Sequence, residues 1–327
     1  MPIKIAVLGA GKMGQRHVDA LQRNEDVLLE VVDVIEESAK TLAEFHNIPW
    51  HCKPHSVLSD PTIDAVVLCT PVPLHAKQTL EALMYGKHVF CEKPLCLKEE
   101  EGLAILRAAE GKNKVVQSGF LSRYAPALIE VKSWLEQGLI GRPHLAYFRI
   151  GGRGSHRRWK HWRADGGGVV PEMLTHKIDQ ALWFFGPFEQ AKTFLHDNIL
   201  PKRTIDGTAV KVDAEDLFVG EARVGSMRML FQADFVSPSY IEYTEIHGDN
   251  GSIFTSILSQ LPTTLFLVES REGFPAGMTE QRFQPTDLVE YEMRDFLGKI
   301  RSEDYRSDSV RDAIHLAQAL KLFGISE

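Results

Sequence analysis

Cysteine is scarce: four in 327 residues, Cys52, Cys69, Cys91 and Cys96, with no Cys-x-x-Cys pair. That argues against a disulfide scaffold and the common zinc or redox motifs, and the last three lie in or beside apolar runs, which reads as buried, reduced thiols of a cytoplasmic protein. No stretch approaches the roughly 18 uninterrupted apolar residues that span a bilayer, so a membrane helix is excluded. The first apolar run, 3–8, leads straight into glycines with no small-residue cleavage site, and reads as a strand rather than a signal peptide. Positive charge is short as well. With 37 Lys and Arg against 44 Asp and Glu the net charge is −7, which argues against nucleic acid or an anionic membrane surface as a partner. The 25 glycines and 16 prolines are too few for a collagen-like or low-complexity chain, and no internal repeat is visible. What is present, 44% hydrophobic and 25% charged residues, is ordinary globular usage on a chain long enough for two domains.

The first third alternates short β-branched runs (3–8, 27–34, 64–70, 88–91 and 115–118) with helical patterns near 13–23, 36–46, 74–85 and 98–110. Continuous apolar strands alternating with helices predict a doubly wound parallel α/β sheet. After Arg123 the rhythm changes. A helix (126–137), a strand (144–150), a loop rich in Gly, Arg, Trp and His, and a helix (169–185) are followed by recurrent strand-like runs, among them 215–223, 226–235 and 241–247, and by two helices near 286–300 and 309–323. This predicts an α+β domain built on a large, mostly antiparallel open sheet. The division expected is 1–122 for a dinucleotide-binding domain and 123–327 for a substrate-binding and oligomerisation domain.

Gly9-Ala10-Gly11-Lys12-Met13-Gly14 follows the first strand and opens the first helix. The first glycine permits the tight turn, the second lets backbone approach a pyrophosphate, and the third lets helix pack on strand. Asp33, nineteen residues past Gly14, ends the second strand, where a carboxylate accepts from both hydroxyls of an adenosine ribose. That carboxylate repels a 2′-phosphate and Val34-Ile35-Glu36 offer no Arg to receive one, so NAD is favoured; Lys40 nearby keeps NADP as the second candidate.

With Gly9 to Gly14, His17, Asp33, Thr70-Pro71 and Cys91-Glu92-Lys93-Pro94 in order, the chain resembles the Gfo/Idh/MocA family (glucose-fructose oxidoreductase, inositol dehydrogenase and rhizopine catabolism). Trp162-Arg163, Gly166-Gly167-Gly168 and Thr175-His176-Lys177-Ile178-Asp179 continue the family's order over most of the chain. The resemblance implies an NAD(P)-dependent oxidoreductase acting on a sugar, polyol or sugar derivative, with a Rossmann domain and a C-terminal sheet that forms a homodimer or homotetramer. It implies that Lys93 of Glu-Lys-Pro faces nicotinamide and substrate, that Gly9, Gly11, Lys12, Met13, Gly14, Asp33, Thr70, Pro71, His75, Glu92, Trp162 and Arg163 line the cofactor, and that His176 is the catalytic histidine. One departure stands out: where the family commonly has Asp, four residues before that histidine, this chain has Glu172.

The residues themselves support this chemistry. Oxidising a secondary alcohol needs a held carbinol carbon and a base. A Lys just past a strand's carboxyl end lies where open α/β sheets bind ligands, its ammonium favours alkoxide character, and Pro94 fixes the turn that aims it. Glu172 and His176, spaced i, i+4, share a helix face with Asp179, directly after glycines that would let a substrate come close. His176 is the expected base, with Glu172 its expected partner or a substrate ligand. From Arg149 to Arg163 there are six basic residues and no acid: Arg149, Arg153, Arg157, Arg158, Lys160 and Arg163. Among these, Arg157 is expected to meet an anionic group on cofactor or substrate, while Trp159 stacks on a sugar face. A metal site from His156, His161, Glu172 and His176 matches no known ligand spacing, so none is expected. Glu92 beside Cys91 disfavours its thiolate as a nucleophile. Two other functions compatible with the same residues are an NAD-dependent glycoside hydrolase working by transient oxidation and a noncatalytic dinucleotide sensor; Lys93 and His176 speak against the second.

Overall fold

A computed structural model describes residues 2–152, 158–205 and 207–325, with backbone alone for Arg158 and Trp159. The chain forms two compact units, Met1–Leu121 with Asp287–Ala317, and Ser122–Thr286 with Gln318–Glu327. The second half is therefore not the contiguous 123–327 that the sequence suggested.

The first unit contains β1 (Ile3–Leu8), α1 (Lys12–Leu21), β2 (Val27–Val32), α2 (Glu36–His46), β3 (Trp50–His51), α3 (Pro54–Leu58), β4 (Ala65–Leu68), α4 (His75–Met84), β5 (His88–Glu92), α5 (Glu99–Lys112) and β6 (Val116–Gly119). Its six strands lie in the order β3-β2-β1-β4-β5-β6, all parallel. This is the order of a Rossmann sheet, whose ligand crevice lies beyond the carboxyl ends of the strands, where the order reverses between β1 and β4. The two-residue β3 and one-and-a-half-turn α3 carry too little pattern to be read from sequence.

A helix near the end of the chain belongs to this unit because of its apolar stripe. In α8 (Leu288–Arg301), Val289, Met293, Phe296 and Leu297 are buried in one cluster with Ile5, Val7, Val18 and Leu21 of β1 and α1. Their i, i+4, i+7, i+8 spacing makes one face, and each such side chain contributes about 1.5–3 kcal/mol on burial. Phe296 meets Phe90 of β5 edge-on at 5.8 Å. The closing helix α9 (Asp308–Leu322) follows.

The second unit begins with α6 (Pro126–Glu136) and β7 (Pro143–Gly151); a π-helical turn, Val170–Leu174, then leads into α7 (Thr175–Phe185). The strands β8 (Gln190–Asp197), β9 (Lys202–Ile205), β10 (Thr208–Lys211), β11 (Leu217–Val224), β12 (Met227–Asp234), β13 (Ile241–Gly248), β14 (Gly251–Thr255), β15 (Thr263–Leu267) and β16 (Gly277–Gln281) complete it. Eight strands form one sheet, β16-β15-β14-β13-β7-β12-β11-β8, antiparallel except for the β7–β12 pair. The mostly antiparallel sheet expected from the strand runs is thus present. Its strands alternate: Phe148, Phe218, Phe231 and Ile246 are buried on one face, with Phe148 stacked on Phe231 at 5.0 Å, whereas Tyr147, Leu230, Tyr243, Phe254, Phe266 and Met278 lie half-buried or exposed on the other. Among the described residues no helix is long and apolar enough to cross a membrane.

His88, at the start of β5, is buried, accepts the Val115 N–H on Nδ1 at 3.1 Å and stacks on Tyr305. Burial, with Lys114 adding to it, pushes its imidazole down to about 4. A folded-state pKa below the unfolded one contributes stability that is present above the unfolded value and is lost as pH falls. We therefore expect the melting temperature to fall between about pH 6.5 and 4, and His88→Gln to flatten part of that fall; a wild-type melting curve level across the window contradicts this account of His88.

Candidate active site

The nucleotide edge of the first unit is built by close backbone contacts. Gly9 has φ +102°, and a Cβ on Gly14 would stand 1.8 Å from the Gly9 carbonyl oxygen, so α1 presses on the first loop as only glycine allows. A Cβ on Gly11 would meet nothing within 4 Å, and α1 has no side-chain cap. The loop therefore presents open backbone and uncapped first-turn N–H groups, the arrangement that receives a pyrophosphate. Lys12 is exposed beside it, while Met13 packs inward on the core. Asp33 accepts from Ala10 N and Ile35 N, one on each carboxylate oxygen at 2.8 Å, and each oxygen retains acceptor capacity for a ribose hydroxyl. Loop, helix end and carboxylate fit a dinucleotide.

At the end of β5, Glu92 is met by His17, whose Nε2 lies 2.7 Å from Oε1. Gly14, His17, Val18 and Leu21 form the buried face of α1, and His17 is the polar member of it. Burial alone would raise the Glu92 carboxyl, but the His17 hydrogen bond, helped by the charges of His17, Lys93 and His75, holds it below the usual carboxylate range. An ionised carboxylate can only accept, so His17 Nε2 carries the proton. Removing either partner of a buried pair of this kind costs about 3–5 kcal/mol. Lys93 follows, half-buried, and its peptide bond to Pro94 is cis.

His75 was expected to line the cofactor. Its side chain is instead buried, with Nδ1 2.8 Å from the Pro94 carbonyl oxygen and Nε2 2.7 Å from that of Thr70. Burial lowers its pKa although both carbonyls and Glu92 pull it upward. It braces the loop that carries Thr70, which is half-buried, and Pro71, which is exposed. The thiols nearby are inert: burial and Glu92 push both Cys69 and Cys91 well up, and burial takes Cys96 to about 12.

In the second unit, the expected helix over 169–185 begins as a π-turn, Val170–Leu174, so Glu172 lies in a wider turn and His176 in the regular helix that follows it. Glu172 is ion-paired with Lys160, and His176 is half-buried. Asp179, expected on the same face, is buried and gripped by Arg123, whose Nη2 lies 2.6 Å from Oδ1. Gly168 (φ +124°) leaves room not for a substrate but for Glu215, whose Oε1 would lie 2.1 Å from a Cβ there. Trp162 is half-buried; Arg163 is exposed, its backbone N–H bonded to Asp213 and its guanidinium 3.8 Å from Glu215. Arg153, His156 and Arg157 lie outside the described residues, as do the side chains of Arg158 and Trp159.

The local positive field expected from 149–163 is reduced by partners distant in sequence. Arg149 pairs with Asp234 at 2.5 Å, Lys160 with Glu172 and Arg163 with Glu215. His161 takes a hydrogen bond on Nδ1 from Arg203 at 2.8 Å. Lys177 entered the sequence reading only as a motif member, with no role: it is buried, paired with Glu242 and bonded to Gln180 and Thr244, which pins α7 to β13. Its signal was there, a Lys on the stripe shared by Leu174, Ile178 and Ala181.

Comparison with known proteins agrees with both units. Residues 3–120 match the profile of the Gfo/Idh/MocA oxidoreductase family, NAD-binding Rossmann fold, and residues 128–254 match that of the family's C-terminal domain. The myo-inositol 2-dehydrogenase of Thermotoga maritima is 27% identical over 82% of this chain and 79% of its own length. The inositol 2-dehydrogenase of Mycolicibacterium smegmatis is 35% identical over 56% of this chain and 53% of its own. In structure, levoglucosan dehydrogenase in complex with NADH superposes with a TM-score of 0.87 at 22% identity, covering 100% of this chain and 97% of the other. A chain with this loop, this strand end and these matches across both halves belongs to the Gfo/Idh/MocA family of NAD-binding oxidoreductases.

Proposed function

We propose that this protein interconverts a secondary alcohol and a ketone on a neutral polyol or sugar, an inositol-like ring above all, with NAD as cofactor. The observation that carries the reading is a shared edge: the open first loop, Asp33 and Lys93 all lie at the carboxyl ends of strands of one parallel sheet, β1, β2 and β5. When bound, the nicotinamide supplies the hydride acceptor for oxidation and the hydride donor for reduction. Gly9 to Gly14 and Asp33 hold the dinucleotide. The Lys93 ammonium donates to the alcohol oxygen and stabilises the negative charge that develops there. His176 takes the hydroxyl proton as the carbon–oxygen double bond forms, and returns it in the reverse direction. Glu172, held by Lys160, is a substrate ligand in this reading, and Trp162 and Arg163 would contact the cofactor.

Within the described part of 149–163, Arg149 is tied to Asp234 and Arg163 faces Glu215, which favours a neutral substrate over an anion held by these two side chains. The named activities of the inositol dehydrogenases above point the same way. In a panel of polyols, aldoses, uronates and sugar phosphates with NAD and with NADP, we expect reduced nicotinamide to form fastest from NAD and a cyclic polyol. A sugar phosphate or uronate with the higher kcat/KM would sink the substrate class. Lys93→Met and His176→Asn should each lower kcat by about a hundredfold or more, with the Kd for NADH within a few-fold of wild type; undiminished turnover in either variant removes that residue from the mechanism.

Four free thiols, three of them held protonated by burial, suit a reducing cytoplasm. The face of the eight-stranded sheet bearing Tyr147, Tyr243, Phe254, Phe266 and Met278 is proposed as the surface that joins subunits into a homodimer or homotetramer. Light scattering should then give a multiple of the 36.8 kDa chain mass, reduced by Phe266→Glu; a wild-type monomer at micromolar concentration refutes it.

A further inference from the structure

We propose that His17 is a positioning residue for Lys93, holding it through Glu92, and that His75 braces the other side through Pro94; the proposal rests on Lys93 acting at the alcohol oxygen. Lys93 stands between two residues that are each tied to a buried imidazole. On one side, His17 of α1 reaches Glu92 at 2.7 Å. Gly119 lies opposite Glu92 in the β5–β6 register, and a Cβ there would stand 3.2 Å from Glu92 Oε2, so the carboxylate fills the space that the glycine leaves. On the other side, the ring of His75, first residue of α4, lies between two carbonyl oxygens, that of Pro94 2.8 Å from Nδ1 and that of Thr70 2.7 Å from Nε2, and its one N–H in the neutral state donates to one of them. The half-buried Lys93 is thus the middle residue of a short run restrained at both ends, which fixes where its Cα and first side-chain bonds begin.

His17 is an expensive way to fill the core. It is fully buried, its ring packs on Phe90 with centroids 5.0 Å apart, and its Nδ1 has no hydrogen-bond partner. An apolar pair of similar volume at 17 and 92 would fill the space without that orphaned atom and without a buried carboxylate, and such replacements are often neutral or stabilising. Stability alone does not account for the pair; position does. The glycine-loop helix and the Lys93 strand end become one body, so the group that meets the alcohol keeps a set relation to the loop that holds the dinucleotide, and misplacement of a catalytic group by about 1 Å costs on the order of a hundredfold in rate.

The test reads Lys93 directly. Reductive ¹³C-methylation of the purified protein gives a dimethyl-lysine NMR signal for Lys93, assigned by its absence in Lys93→Arg. In His17→Leu and in His75→Leu we expect that signal to move, kcat on the best polyol of the panel to fall about tenfold or more, and the Kd for NADH to change less than about threefold. His17→Gln, which keeps an N–H donor within reach of Glu92, should return signal and kcat toward wild type. His17→Asn, whose shorter amide does not reach, carries the same test should His17→Leu fail to fold. An unmoved Lys93 signal, or full turnover in a variant whose signal has moved, overturns the proposal. A moved signal together with full turnover in Lys93→Met would instead remove Lys93 from the chemistry and leave the brace standing.

Discussion

One buried hydrogen bond, from His17 Nε2 to Glu92 Oε1, connects the two halves of the nucleotide edge. On one side of it lie α1, Gly9 to Gly14 and the open backbone at Gly11. On the other lie the end of β5, Lys93 and the loop that His75 braces. Parallel strands alone do not fix the ends of their loops, because the last residues leave the ladder. A charge-assisted bond in a water-poor interior does, since breaking it takes the hydrogen-bonded partner from a largely buried carboxylate. The packing of Gly14 on Gly9, of His17 on Phe90 and of Phe90 on Phe296 then makes α1, β5 and α8 a continuous body.

The same economy of buried charge runs through the second unit. Lys177 with Glu242 pins α7 to β13, Arg123 with Asp179 holds the middle of α7, and Arg203 with Asp216 lies beneath His161. His176 therefore projects from a helix fixed on both sides, after a π-turn of the kind that often marks functional positions. The pairing of Lys160 with Glu172 shows how the glutamate that stands where the family commonly has aspartate is oriented here.

Much of this was legible in the sequence, and for stated reasons. The alternation of apolar strands and helices over the first 120 residues is local, and it gives the parallel sheet; the glycine spacing and Asp33 sit where local turn geometry demands them. Pairings across long sequence separations were not legible. Nothing near Val289 says that its helix returns to the first unit; only the complementary stripe on α1 does. Nothing in the run of basic residues from Arg149 to Arg163 shows that Asp234, Glu172 and Glu215 come to meet three of them. His17 and His75 are recognisable as motif members, yet their roles depend on which atoms the fold brings to their ring nitrogens. The π-turn escaped because Pro171, near the start of Val169 to Phe185, reads as an ordinary first-turn proline, and a looser turn leaves little mark on periodicity.

The central claim is direct transfer of hydrogen from a carbinol carbon to the cofactor, with this chain's residues handling the proton. A polyol carrying deuterium on its ring carbons, incubated with NAD and the protein in ordinary water, tests it most directly by mass spectrometry of the reduced nicotinamide. One deuterium per reduced nicotinamide, matched by one equivalent of ketone, is the predicted result. Substrate consumed without net reduced nicotinamide, or reduced nicotinamide carrying only solvent hydrogen, would contradict it.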